Sequence, residues 1–231
     1  MLEEYELADR IVVSSEFVRR TFVAEGVPAS KLAVVPLGAN FEARSWRARP
    51  TSPLTVVSIG NGLEAKGMID VLEAWRLADL PGELKIRSPI LPSWAPLLSA
   101  RGASRTMVLP PMSHAAVLTL LSSASVFCLL SIQDGFGMVV LEAMACGCPV
   151  IVSRNVGASD VVRDGENGFV VEIRDPAQAA ARLAQLASDP ELLQRMSRQA
   201  LATARDHGWS RYAGRLLEMW SGVEDRRVAR S

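Results

Sequence analysis

Residues 134–147 read DGFGMVVLEAMACG, and PVIVS follows at residues 149–153. Gly135 and Gly137 interrupt regular structure and lack the Cβ atom that would keep a ligand away from the backbone. The apolar run after them predicts a buried helix, whose first N–H groups have no intrahelical partner and can bind an anion. Glu142 lies inside that run, where a carboxylate is costly unless it is paired. It either binds a ligand or caps a neighbouring loop, and the segment alone leaves both interpretations open.

The composition describes a globular chain with balanced charge. Of its 231 residues 49% are hydrophobic, and 25 Lys and Arg residues balance 25 Asp and Glu residues. This balance argues against nucleic acid as a partner, since phosphate backbones select basic surfaces. The acidic first ten residues do not resemble a secretory signal, and no run of about 18 apolar residues could span a bilayer. We therefore expect a cytoplasmic location, with peripheral attachment to the inner face of a membrane left open.

The cysteines and histidines predict neither a disulfide framework nor a metal site. The cysteines are Cys128, Cys146 and Cys148, and the histidines, His114 and His207, lie far apart in sequence. We expect buried free thiols in a reducing compartment and no metal.

Short apolar runs alternate with longer helical patterns along most of the chain. The predicted strands are ADRIVVSS (8–15), KLAVVPLG (31–38), LTVVSIG (54–60), ELKIRS (83–88), TMVLPP (106–111), VFCLLS (126–131), PVIVS (149–153) and, at an edge, ENGFVVE (166–172). The predicted helices are residues 15–26, 68–80, 93–102, 115–124 and, in two or three pieces, 176–220. Continuous apolar strands separated by helices predict an α/β fold, a doubly wound parallel sheet covered on both faces.

Two glycine loops follow predicted strands, at residues 60–67 and 134–137. Because the strands are parallel, both loops open on the same edge of the sheet, where such folds bind nucleotides. The first loop fits the dinucleotide fingerprint with Ala65 in the last place, and Arg87 after the next strand suits a 2′-phosphate. The same loop places Lys66 at the mouth of a helix, where it could neutralise a diphosphate. The third interpretation of Lys66 is a solvated side chain, although a helix start slightly disfavours a cation.

Three motifs occur in order along the chain. A glycine loop with a Lys-Gly pair lies at residues 60–67, with Asn61 after its first glycine. Asp134 and Glu142 are separated by seven residues, with Gly-Phe-Gly between them and EAMA-x-G-x-PV from Glu142 onward. A third motif, VGASDVVRDGENGF, occupies residues 156–169. Together they resemble the C-terminal half of retaining, nucleotide-sugar-dependent GT-B-fold glycosyltransferases, the glycogen-synthase-like and mannosyltransferase-like group. That family has arginine at the place of Asn61 and glutamate at the place of Asp134.

The resemblance implies an enzyme that transfers a hexosyl unit from a nucleotide-diphosphate sugar with retention of configuration, without metal or other cofactor. It implies catalytic roles for Lys66, at the donor diphosphate, and for Asp134, beside the sugar hydroxyls. Glu142 would accept hydrogen bonds from the ribose. The donor-binding residues implied are Gly60, Asn61, Lys66, Asp134, Gly135, Phe136, Gly137, Met138 and Glu142.

The resemblance also implies a division of the chain. Residues 1–40 correspond to a remnant of the N-terminal acceptor domain and a linker, 41–205 to a Rossmann-like donor-binding domain, and 206–231 to a crossover helix and tail. We expect the aromatic residues from Trp209 to Trp220 to lack part of their partner. The acceptor, a glycan, a lipid or a small molecule, stays open. Three further possibilities also stay open: the chain associates with itself, it pairs with a separate acceptor-domain chain, or it is a fragment.

Two other functions stay open. A catalytically impaired nucleotide-sugar-binding partner subunit fits Asn61 in place of the family arginine. An NADP-dependent oxidoreductase fits Gly60, Gly62, Ala65 and Arg87, but the sequence offers it no convincing proton donor.

Overall fold

The N-terminal part of the chain forms a small parallel strand pair with two helices. A computed structural model describes residues 2–40, 46–62, 64–88 and 105–228, with side chains described from 3 to 221 within those ranges. The N-terminal elements are α1 (Leu2–Leu7), β1 (Ile11–Val13), α2 (Glu16–Ala24) and β2 (Leu32–Val34). Strand β1 is shorter than predicted because the Ser15 hydroxyl accepts a hydrogen bond from Val18 N–H and caps α2.

The main sheet has six parallel strands and is confirmed as doubly wound. Its strands are β3 (Leu54–Ile59), β4 (Gly82–Arg87), β5 (Thr106–Leu109), β6 (Val126–Leu129), β7 (Val150–Ser153) and β8 (Gly168–Val171). They lie in the order β5-β4-β3-β6-β7-β8, and every neighbouring pair is parallel. The chain therefore adds β4 and β5 on one side of β3. It then returns to place β6 on the other side of β3, and β7 and β8 follow beyond β6. Strand β8 lies at an edge, as predicted.

Helices cover both faces of this sheet. They are α3 (Met68–Ala78), α4 (His114–Ser123), α5 (Met138–Ala145), α6 (Pro176–Ser188) and α7 (Pro190–Arg205), whereas no described side chain of the last helix, α8 (Trp209–Val228), belongs to either core cluster. Strand β6 shows why both faces are apolar: Phe127 and Leu129 pack into one core cluster, while Cys128 packs into the other. The long helical region after Pro176 forms three helices. The helix predicted at 93–102 lies outside the described residues.

The stretch before β3 is anchored to the second half by a buried arginine, Arg49. Its Nη1 atom donates to the carbonyl oxygens of Leu121, Ser122 and Ala124, at 3.0, 2.8 and 3.1 Å. These carbonyls end α4, and a cation is favourable at the negative end of a helix dipole. The polar composition of this stretch did not predict this contact.

Helix α8 exposes part of its apolar side. Leu217 and Trp220 are 68% and 64% exposed, and Trp209 is 39% exposed. This agrees with the expectation that the helix lacks part of its partner, and what covers it stays a prediction. No helix in the described ranges is both long and apolar enough to cross a membrane. The domain boundaries at 40 and 205 stay predictions, although Ala39 forms a bridge with Gly208.

The Asp-Gly-Glu-Asn-Gly turn before β8 is held by the fully buried Asn167. Its Nδ2 atom donates to the Val161 carbonyl (3.2 Å) and to Thr203 Oγ1 on α7 (2.9 Å). Its Oδ1 atom accepts from Arg163 N–H at 2.8 Å. The amide thus has partners for both its nitrogen and its oxygen, as a buried polar side chain requires.

We expect Asn167→Ala to lower the free energy of unfolding by about 1–3 kcal/mol, because it leaves buried polar groups unpaired. Urea denaturation measures the change. The control is Glu166→Ala, in the same turn, which removes only an exposed ion pair with Arg163 and should cost under about 1 kcal/mol. Equal losses for the two variants would contradict the role of Asn167.

Candidate functional site

The loops after β3 and β6 meet at the point where the strand order reverses. A cleft of about 510 Å³ opens there at the carboxyl ends of the strands. Its walls include eight of the nine predicted donor-binding residues: Gly60, Asn61, Lys66, Asp134, Gly135, Phe136, Gly137 and Met138. The ninth, Glu142, is not among the described residues that line the cleft. Ser14, Leu37 and Arg87 line it without having been predicted as donor-binding residues.

Lys66 and Asp134 face each other across this cleft. The distance between Lys66 Nζ and Asp134 Oδ2 is 2.5 Å. The two side chains are 28% and 11% exposed, so the pair is largely shielded from water. Lys66 is therefore turned into the cleft and paired, which makes the solvated-side-chain interpretation wrong.

Gly67 explains how Lys66 reaches this position. Its φ angle is +63°, and a Cβ atom there would lie 1.8 Å from the Leu130 carbonyl oxygen. The loop after β3 thus lies directly on the end of β6, and only glycine allows this approach. Lys66, the residue before Gly67, therefore lies near the end of β6, where Asp134 begins the second loop.

The second loop turns into α5 at Gly137, whose φ angle is +80°. Its carbonyl accepts from Val140 N–H at 2.9 Å, the first hydrogen bond of the helix. Met138 and Val139, in the first turn of α5, line the cleft. The free N–H groups of such a turn carry partial positive charge and favour an anion.

Backbone hydrogen bonds hold the second loop rigidly against the segment after β7. Asp134 N–H donates to the Asn155 carbonyl (3.0 Å), and Gly157 N–H donates to the Asp134 carbonyl (2.9 Å). The N-terminal part adds two more bonds. The hydroxyls of Ser14 and Ser15 donate to the Gly135 carbonyl at 2.9 and 2.8 Å. The contact of both serines with the loop was not predicted, because about 120 residues separate the partners in sequence.

Glu142 has a partner within the chain. Its Oε1 atom lies 3.0 Å from His114 Nε2, at the first residue of α4. The glutamate is 21% exposed and the histidine 62% exposed. This pairing accounts for a carboxylate within an apolar helix, and the ribose contact of Glu142 stays a prediction.

The asparagine at position 61 also has a charged partner. Arg87 Nη1 donates to Asn61 Oδ1 at 2.9 Å. Arg87 ends β4, the strand beside β3, so its side chain enters the cleft from the neighbouring strand. The sequence associated Arg87 only with a 2′-phosphate, because its distance from Asn61 could not be known.

The thiols lie apart from this chemistry. Cys128, Cys146 and Cys148 are buried and free, as expected. Burial raises the pKa of Cys128 and of Cys148 to about 12, which leaves these thiols protonated and unreactive at neutral pH. Within the described ranges, no group of three His, Cys, Asp or Glu side chains could hold a metal ion.

Comparisons with known proteins find similarity to glycosyltransferases in part of the sequence and in the fold. Residues 97–203 match the family model Glycosyl transferases group 1. Over 96% of its length the chain is 27% identical to a D-inositol 3-phosphate glycosyltransferase from Thermobispora bispora, and it spans 58% of that relative. The fold matches sucrose-phosphate synthase from Thermosynechococcus elongatus with a TM-score of 0.82 at 20% identity, over 97% of this chain and 61% of that one. It matches Anabaena HepE, in complex with UDP and glucose, with a TM-score of 0.78 at 18% identity, over 94% and 64% of the two chains.

These matches confirm the resemblance seen in the sequence. The six-stranded parallel sheet and its cleft define a Rossmann-like α/β protein. The chain has the fold of the GT-B glycosyltransferases, and its residues 97–203 match the model of glycosyl transferases group 1.

We expect Gly67→Ala to disrupt the cleft, because the new Cβ atom would collide with the Leu130 carbonyl. Gly165→Ala is the matched control, since Gly165 has a φ angle of +81° but a Cβ atom added there would meet nothing within 4 Å. The control carries only left-handed strain, about 1–2 kcal/mol. Thermal melts should show a clearly larger loss for Gly67→Ala. Similar melting temperatures would contradict the close approach to β6.

Proposed function

We propose that the chain binds a nucleotide-diphosphate sugar in this cleft and is the donor-binding half of a hexosyltransferase that retains anomeric configuration. One observation carries the proposal. A cation (Lys66), a carboxylate (Asp134) and the start of α5 converge at the switch point of the sheet. The family supports glycosyl transfer, and HepE, whose fold is similar, is known in complex with UDP and glucose.

The geometry suits departure of a nucleoside diphosphate. Phosphate oxygens entering the cleft would compete with Asp134 for the Lys66 ammonium and meet the N–H groups of Met138 and Val139. Positive charge placed there stabilises the negative charge that develops as the sugar leaves. Asp134, released from Lys66, could then accept hydrogen bonds from sugar hydroxyls. In the same way a ribose would compete with His114 for Glu142, which is acceptor-only when ionised.

A second candidate is a nucleotide-sugar-binding subunit with impaired catalysis. Asn61 favours it, because a cation present at that place in the family is missing. Ligand binding alone does not separate this candidate from the enzyme, whereas turnover does. The NADP-dependent oxidoreductase is disfavoured because the sequence offers it no convincing proton donor and because residues 97–203 match glycosyl transferases group 1.

We further propose that the exposed side of α8 packs on an acceptor domain, in a longer chain or in a separate one. Leu217 and Trp220 are the large apolar side chains most exposed on it. The Thermobispora relative contains sequence that this chain does not span, since the match covers 58% of its length. An apolar patch rimmed by polar residues is typical of an interface.

The proposal predicts stabilisation by one nucleoside diphosphate among UDP, GDP and ADP. At about 100 times Kd the ligand adds about 2.7 kcal/mol, which raises Tm by roughly 5–10 °C in a chain of this length. Differential scanning fluorimetry measures the shift, with NADP as the comparison ligand. A shift with NADP alone, or with none of the four, would refute nucleotide-sugar binding. NMR of the product formed from the matching nucleotide sugar then tests turnover and retention.

Lys66→Ala should weaken binding of that nucleoside diphosphate about 10- to 100-fold, because a charge-assisted contact is lost and Asp134 is left facing the phosphates. Isothermal titration calorimetry gives the affinities. Lys85→Ala is the control, since Lys85 is also paired with a carboxylate, Glu83 (2.7 Å), but does not line the cleft. The double variant Lys66→Ala/Asp134→Asn should recover part of the loss. If the two single lysine variants bind alike, Lys66 does not contact the diphosphate.

A further inference from the structure

Arg87 brings a second cation to the cleft from a different strand. It lies opposite Ile59 in the β3–β4 register, at the last position of β4. Its carbonyl accepts from Gly60 N–H at 3.1 Å, so the strand end is tied to the start of the glycine loop. The guanidinium then reaches Asn61 Oδ1 at 2.9 Å, and both residues line the same cleft as Lys66.

The charge of Arg87 is available, whereas that of Lys66 is compensated. Lys66 is paired with Asp134 at 2.5 Å. The contact of Arg87 is to a neutral amide oxygen, and within the described ranges no carboxylate forms an ion pair with it. Its Nε atom is buried without an acceptor among the described residues. The described residues bring three charged side chains to the cleft: Lys66, Asp134 and Arg87. Because Lys66 and Asp134 neutralise each other, the net charge of these three comes from Arg87.

We propose that Arg87 is the second cation for the donor diphosphate and that Asn61 positions it. This inference rests on the proposed function. An amide oxygen at position 61 orients the guanidinium without neutralising it, so the remaining N–H groups are free to bind phosphate oxygens. A guanidinium offers a planar fork of donors that matches phosphate geometry.

The pairing also accounts for asparagine at position 61. An arginine there would place two guanidinium groups within contact distance, where their like charges repel each other. With Arg87 present, a neutral acceptor at position 61 is the compatible residue. The positive charge has thus moved from the loop after β3 to the end of β4, and Asn61 does not by itself imply a loss of phosphate binding.

The test uses calorimetry with the nucleoside diphosphate, among UDP, GDP and ADP, that the wild-type chain binds most tightly, and with its nucleoside. Arg87→Gln should weaken the diphosphate about 10- to 100-fold and leave nucleoside affinity within about twofold. Arg87→Lys keeps the charge but lacks the planar fork of donors. Its affinity for the diphosphate should lie between those of the wild type and of Arg87→Gln. The control is Arg76→Gln, on the exposed side of α3, where Arg76 is paired with Glu73.

The double variant R87Q/N61R gives a readout that a merely structural role would not move. It returns a guanidinium to the cleft from the adjacent residue, so we expect it to recover most of the diphosphate affinity lost in R87Q. Diphosphate binding by R87Q equal to wild type would overturn the inference. Equal losses for diphosphate and nucleoside would overturn it as well. If the wild-type chain binds none of the three diphosphates, the proposed function fails as well.

Discussion

Strands β3 and β6 lie side by side in the sheet, although β4 and β5 come between them in the chain. All strands are parallel, so the loops that leave these two strands emerge at the same edge. At the switch point the two loops turn away from each other, to opposite faces of the sheet, and a crevice opens between them. The ion pair between Lys66 and Asp134 spans this crevice. The pairing of Lys66 with Asp134 depends on this adjacency, since the two residues are far apart in sequence.

The charges in the cleft are held in place before any ligand arrives. Asp134 and Lys66 neutralise each other, Glu142 meets His114, and Arg87 is oriented by the neutral Asn61. In the proposed function, phosphate and hydroxyl groups of the donor would replace the partners of Lys66, Asp134 and Glu142, while Asn61 would continue to hold Arg87. Such exchange costs little reorganisation, because the side chains and the first turn of α5 already occupy their positions. Preorganised groups of this kind act most strongly on charge that develops during a reaction.

Distant segments of the chain hold the cleft together. The hydroxyls of Ser14 and Ser15 bind the Gly135 carbonyl, so the N-terminal strand pair forms part of the cleft wall. On the other side of the molecule, Arg49 fixes the stretch before β3 to the end of α4. The cleft is thus built by both halves of the chain. The match covers 58% of the Thermobispora relative, and α8 exposes Leu217 and Trp220, on which the proposed acceptor-domain contact rests.

The order of strands and helices, and the two glycine loops, could be predicted from the sequence, because hydrophobic periodicity and glycine positions are local signals. The fold class and eight of the cleft-lining residues follow from those signals and from motif resemblance. The partners of Arg87, Arg49 and Glu142 could not be predicted. Long polar side chains reach groups on neighbouring elements, and which elements are neighbours is decided by sheet order and helix packing. The sequence by itself determined where the backbone could approach an anion. Only the tertiary structure decided which cations lie beside that anion, because their positions depend on distances between strands and not on distances along the chain.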